Sequence, residues 1–164
     1  MRRLLGIAFG MTLACAAFGQ DATVPPAVEH AVLTVEGRGV QIYSCAQAPK
    51  GPAWVFTAPA ARLFDKDDLE VGTHGDGPVW YLQDGSSVLG KVIAKTPSPD
   101  AGSVPWLLIK AVSTSGKGTL AAVEYIRRSE TKGGAAPAGG CDADHAGDVA
   151  RIPYTATYTF YSAR

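Results

Sequence analysis

Beyond residue 19, apolar residues in this chain nowhere recur at helical spacing for three turns with a cap at either end. Gly, Pro, Asp and Ser instead cut it into short runs, several of which alternate apolar with polar side chains, the period of a half-buried strand. Residues 31–36 and 39–45 read as two strands about a Gly37-Arg38 turn, Val40 and Ile42 alternating with Gln41 and Tyr43. Residues 53–58 are the next strand, stopped by Pro59, and 60–64 a single helical turn. An acidic turn, Asp65-Lys66-Asp67-Asp68, precedes 69–74, and Gly75-Asp76-Gly77-Pro78 precedes 79–83. Asp84-Gly85, residue types that accept positive φ, joins 79–83 to 88–95 as a hairpin. Residues 96–103 are loop by composition, 106–113 a continuously apolar central strand, 115–118 a turn into a strand at 119–127, and 129–149 irregular. The last run alternates most sharply, with Tyr154, Ala156, Tyr158 and Phe160 on one face and Thr155, Thr157 and Thr159 on the other. The fold class expected is mostly β, a single antiparallel β-sandwich or small barrel of 8–9 short strands with no long helix after the leader.

That leader is residues 1–19. Arg2 and Arg3 precede an uncharged apolar run from Leu4 to Phe18, and Ala17-Phe18-Gly19 offers a small-x-small cleavage site. This is the pattern of a secretory signal peptide, too short for a membrane span. A competing reading makes Leu13-Ala14-Cys15 a lipoprotein signal, with Cys15 lipidated. Thr12 stands where a leucine is usual, and each buried lipid methylene would add about 0.8 kcal/mol of membrane affinity. Residues 20–28 are an extended lead-in and 29–164 one β domain, exported to the periplasm or beyond, with no transmembrane segment.

Export decides the meaning of the remaining cysteines. With Cys15 in the leader, Cys45 and Cys141 form an even pair in an oxidising compartment, most simply a disulfide; a thiol catalyst or a metal pair are the alternatives. Such a bridge would close most of the domain into a loop and contribute roughly 4–5 kcal/mol. The whole chain has 15 basic and 15 acidic residues, and loss of Arg2 and Arg3 leaves 13 against 15. Nucleic-acid binders show a basic excess, so no nucleic-acid partner is expected.

Candidate chemistry is sparse. His74, in Gly-Thr-His-Gly-Asp-Gly-Pro, could serve as acid, base or metal ligand, or simply bond a loop carbonyl and stabilise the turn. Metal candidates are His74, Asp142 and His145, with Asp144 nearby and His30 more remote, but no His-x-His or His-Glu-x-x-His spacing occurs; no cofactor is expected. No Gly-x-Ser-x-Gly elbow marks a nucleophile, and Asp65, Asp67, Asp68 and Glu70 read more simply as a solvated turn than as paired catalytic carboxylates. Trp54, Trp80 and Trp106 lie in or beside strands, where they fill a core or stack on a ligand. Tyr161 falls on the threonine face as an exposed ring. Arg127 and Arg128 point to opposite faces of one strand, and an inward arginine calls for a carboxylate. The binding residues expected are therefore His74, Trp80, Tyr161 and Arg127.

Several segments appear together in a fixed order. They are Val40-Gln41-Ile42-Tyr43-x-Cys45, Trp54-x-Phe56-x-Ala58-Pro59, Gly72-x-His74-x-x-Gly77-Pro78-x-Trp80 and Asp84-Gly85-Ser86. Pro105-Trp106-Leu107-Leu108, Gly133-Gly134-x-x-Pro137-x-x-Gly140-Cys141-Asp142 and Pro153-Tyr154-x-Ala156-x-Tyr158-x-Phe160-Tyr161 follow. Over about residues 27–161 the chain resembles the exported bacterial and fungal family catalogued as domain of unknown function 3455. The resemblance implies export and no particular activity. The expectation is a non-enzymatic binding or envelope-associated module for a small ligand, glycan or surface partner. A hydrolase or metal-dependent enzyme using the His74 loop is the alternative, and a purely structural surface protein a third.

Overall fold

The computed structural model describes residues 21–163; the leader and the Cys15 lipidation site lie outside the described residues. Eight strands follow in order: β1 (His30–Ala48), β2 (Gly51–Phe64), β3 (Glu70–Gly75), β4 (Val79–Leu82), β5 (Ser87–Thr96), β6 (Trp106–Ser115), β7 (Tyr125–Gly133) and β8 (Val149–Ser162). Each pairs antiparallel with the next, and β8 returns to β1, so the mostly-β fold is a closed barrel rather than a sandwich. Closure leaves no outer strand at either end of the sequence order.

Two strands, β1 and β2, are far longer than the sequence suggests, because two apparent breaks are not breaks. Gly37-Arg38 continues β1 instead of turning it. A Cβ at Gly37 would come within 2.6 Å of the Tyr158 ring, and one at Gly39 would collide with the Ala60 carbonyl and Ala61. Glycine is needed there for close approach across the barrel wall. Pro59 likewise lies inside β2, opposite Gln41 of β1. The ladder from β2 to β3 begins only at Ala61↔His74, so the proline, which has no N–H, sits on an unpaired flank where no bond is lost. No helical turn forms at 60–64. The expected strand start at 119 is instead a 3-10 turn, Thr119–Ala122, and β7 runs on through Gly133 into the segment read as irregular.

Side-chain alternation sets the interior. Val35, Gln41, Tyr43 and Cys45 of β1 point inward, as do Tyr154, Ala156, Tyr158, Phe160 and Ser162 of β8, while the threonines of β8 face out. The end of the barrel where β1 starts and β8 finishes buries Leu63, Val88, Leu120, Ile126 and Phe160. Leu120 is pushed in by the 3-10 turn, which the Asp84 carboxylate ties to the β4–β5 hairpin: Ser86 Oγ donates to Asp84 Oδ1 (2.6 Å), and Thr119 N donates to Oδ2 (2.8 Å). These donors hold the Asp84 carboxyl well below its ordinary range.

The other end is covered on one side only. Residues 97–105 and 134–148 fold over it, fixed by Thr131 Oγ1 donating to the Val104 carbonyl (2.6 Å) and Tyr43 OH donating to the Gly134 carbonyl (2.6 Å). Trp54 Nε1 donates to the Gly139 carbonyl (2.8 Å), and the Cys45–Cys141 disulfide clamps the longer loop to β1. On the opposite side the β3–β4 hairpin stops short. Ladder pairing reaches only Ala61 on β2 and Leu89 on β5, so residues 51–60 and 91–96 face a notch in the wall.

The bridge spans 96 residues, so replacing both cysteines (Cys45→Ser with Cys141→Ser) should lower the unfolding free energy by about 4–5 kcal/mol in urea titrations. A loss below about 1 kcal/mol would show that the hydrogen bonds of the 134–148 loop suffice without it.

Candidate functional site

Beneath the notch lies a cavity of about 270 Å³. Its walls are largely apolar: Phe56 and Pro59 from β2, Pro78 from the β3–β4 turn, Val92 from β5, and Leu107 and Ile109 from β6. Phe56 and Val92 stand half-exposed at the rim. Deeper in, five polar or aromatic groups converge, Gln41, His74, Trp80, Arg128 and Tyr158, each carried inward by the two-residue period of its strand.

His74 lies flat on Trp80, ring centroids 4.2 Å apart and planes 4° from parallel, and Tyr158 meets both rings edge-on. Its Nδ1 is 2.9 Å from the Val79 carbonyl. A carbonyl only accepts, so Nδ1 carries the proton and Nε2 the lone pair. Burial lowers the imidazole pKa to about 4; the Val79 bond opposes that shift and the Arg128 charge adds to it. His74 is thus a neutral ring that ties β3 to β4, as in the turn-stabilising reading of the sequence.

Arg128 is the charge in this interior. Its Nε and Nη2 both donate to the Pro105 carbonyl, at 3.1 and 2.8 Å. Its field reaches Tyr43, His74, Tyr154 and Tyr158. Burial raises the pKa of all three phenols despite that nearby charge. The carboxylate that an inward arginine calls for is not there: no ion pair among the described residues involves Arg128. Asp76 lines the cavity, but from the exposed β3–β4 turn.

Of the four binding residues expected from the sequence, His74 and Trp80 meet in this cavity, and Tyr161 and Arg127 lie elsewhere. Trp80 is fully buried, a wall of the cavity rather than an exposed platform. Tyr161 faces outward, half-buried, opposite Tyr125. Arg127 also faces out and is occupied: Nη2 bonds Asp21 at 2.6 Å and the guanidinium lies over the Trp106 ring, pinning the lead-in to the wall. Burial raises the Asp21 pKa, but hydrogen bonds from Thr23 and Arg127 outweigh it and leave that carboxyl below its ordinary value. Asp142 and His145 do come together, at 2.7 Å, on the exposed loop, where Asp142 also caps the turn Ala143–His145. Their mutual bond raises the His145 pKa and lowers that of Asp142. The described residues contain no cluster of three or more His, Cys, Asp or Glu able to hold a metal, and His74 is not near that pair. Sequence reasoning missed Gln41 and named Arg127, whereas Arg128 is the arginine that lines the cavity. Counting in twos back from Cys45, which the disulfide turns inward, would have placed Gln41 and Tyr43 inside.

The family model described as protein of unknown function (DUF3455) matches residues 26–162. The chain belongs to this family. No curated protein and no solved structure matches it. For this DUF3455 barrel, what the cavity can do therefore follows from its own geometry: it offers apolar walls, a buried cation and hydrogen-bond donors, with a histidine that is neutral near pH 7.

The His74 pKa carries a sign that can be measured. In the unfolded chain the imidazole takes a proton below about pH 6.5, whereas in the folded barrel it resists until about pH 4. Stability contributed by the neutral ring is complete above about pH 6.5 and is lost as pH falls toward 4. Between pH 7 and pH 4.5 the wild type should lose on the order of 2–3 kcal/mol more than His74→Phe, read from paired urea titrations. Parallel pH profiles would contradict a buried neutral His74.

Proposed function

We propose that this chain is an exported, non-enzymatic binding module that holds one small, largely apolar ligand in the open end of its barrel. A single observation carries the reading. Inside the barrel, beneath the notch in the wall, about 270 Å³ of largely apolar space remains unfilled against the buried His74, Trp80 and Tyr158. Protein interiors are normally filled to crystal-like density, so unfilled apolar volume costs stability. Eight-stranded barrels are just wide enough either to be filled by side chains or to enclose one small ligand, and barrel mouths are common ligand sites. The cavity is slightly smaller than drug-sized pockets, which run from about 300 to 1,000 Å³. That suits a ligand of one or two rings or a medium-length chain.

The apolar walls suit such a body better than a glycan, whose hydroxyls would meet few partners there. An imidazole pulled to about pKa 4 is a poor proton acceptor near neutral pH, which weighs against the hydrolase alternative. The apolar leader and the Cys45–Cys141 bridge support export to the periplasm or beyond. Among the described residues no helix is long and apolar enough to cross a membrane.

The neutral fluorescent probe N-phenyl-1-naphthylamine tests the cavity directly. Wild type should bind it with enhanced emission, and Leu107→Trp, which fills the cavity from the β6 wall, should weaken binding by about tenfold or more while keeping a cooperative melt. Absence of binding to wild type, or equal binding to the filled variant, would overturn the reading.

A further inference from the structure

Resting on that reading, we propose that the ligand is a small organic monoanion, an apolar body carrying one carboxylate, with the carboxylate seated against Arg128. Arg128 is only 8% exposed, and its guanidinium meets only neutral partners, the Pro105 carbonyl through Nε and Nη2 and the Tyr158 hydroxyl, which leaves part of its five N–H groups unused. Arginine stays charged inside proteins, and a buried charge without a counter-charge costs several kcal/mol. Every titratable neighbour that feels this charge is neutral or resists ionisation: His74 is an uncharged ring, and Tyr43, Tyr154 and Tyr158 are phenols whose burial favours the protonated form. The cavity's own carboxylate, Asp76, stands outside on the exposed turn and makes no ion pair with Arg128. The chain thus supplies the cation and not the anion.

Two further lining side chains point the same way. Gln41 Nε2 and Trp80 Nε1 are buried and have no hydrogen-bond partner among the described residues. Gln41 lies close enough to the Tyr154 hydroxyl to favour its ionised form, yet its Nε2 closes no hydrogen bond. Both atoms are donors that solvent does not reach, so a side-chain adjustment is needed before any acceptor, a bound carboxylate included, can meet them. A carboxylate offers two acceptor oxygens in the planar geometry that a guanidinium fork matches. Its apolar body then lies against Leu107, Ile109 and Phe56 toward the notch.

Octanoate and 1-octanol share a chain and differ in the head group. Displacement of N-phenyl-1-naphthylamine from wild type at pH 7 should favour octanoate by about tenfold or more. Arg128→Met should abolish that preference by weakening octanoate while leaving 1-octanol within about twofold. Should that variant not fold, Arg128→Lys keeps the charge without the fork and should reduce the preference without erasing it. Equal or tighter binding of 1-octanol by wild type would overturn the anion while leaving the cavity reading intact. So would a preference that survives unchanged in Arg128→Met. If the naphthylamine itself does not bind, the cavity reading fails, and this inference with it.

Discussion

From His30↔Ser162 to Ser44↔Val149, β1 runs antiparallel to β8, and this ladder converts a meander of strands into a closed wall. The two strands meet so closely that β1 needs Gly37 where the Tyr158 ring crosses it. The same ladder fixes which side chains turn inward on both strands, because a shift of one residue would move every one of them to the opposite face. Gln41, Tyr43, Tyr154 and Tyr158 therefore share one interior, and Arg128 joins them because β7 pairs with β8 at Arg128↔Tyr158. The gathering of polar side chains deep in the otherwise apolar cavity is a consequence of register.

Unequal strand lengths then decide where that interior opens. β3 and β4, six and four residues long, stand between β2 with fourteen and β5 with ten. The short hairpin cannot complete the wall, and the Val79 carbonyl that would otherwise look into the gap is taken by His74. Near neutral pH that imidazole is already uncharged, so burying it needs little deprotonation, and it places a flat surface, His74 on Trp80, at the inner face of the hairpin. The cavity floor and the closure of the hairpin are one structure.

Much of this was legible in the sequence, and the parts that were not share a cause. The alternation of residues 154–160 and the Asp84-Gly85 hairpin are local signals, the Cys45–Cys141 pair follows from counting cysteines, and the barrel keeps all three. Gly37-Arg38 and Pro59 were misleading, because a local rule sees a turn residue or a strand breaker. The structure uses the glycine for close approach and the proline on a flank with no partner. Which of Arg127 and Arg128 faces inward depends on the β7–β8 register, a long-range fact that no neighbouring residue announces. Gln41 was obscured because Val40 and Ile42, the apolar members of its run, face half outward while β1 turns Gln41 and Tyr43 inward.

An unfinished wall exposes two strand flanks, and exposed flanks recruit other strands. On β2 the flank carries Pro52 and Pro59, which have no N–H to offer, and on β5 it carries Lys91 and Lys95, both exposed, whose charges oppose burial under an added strand. These residues prevent the notch from being filled by backbone while leaving Phe56 and Val92 at its rim, half-exposed and apolar. A gap meant only to be tolerated would be expected to present polar side chains there. A notch that disfavours strand addition yet keeps an apolar lip above a buried arginine without a carboxylate partner is the kind of entrance that the proposed ligand binding requires.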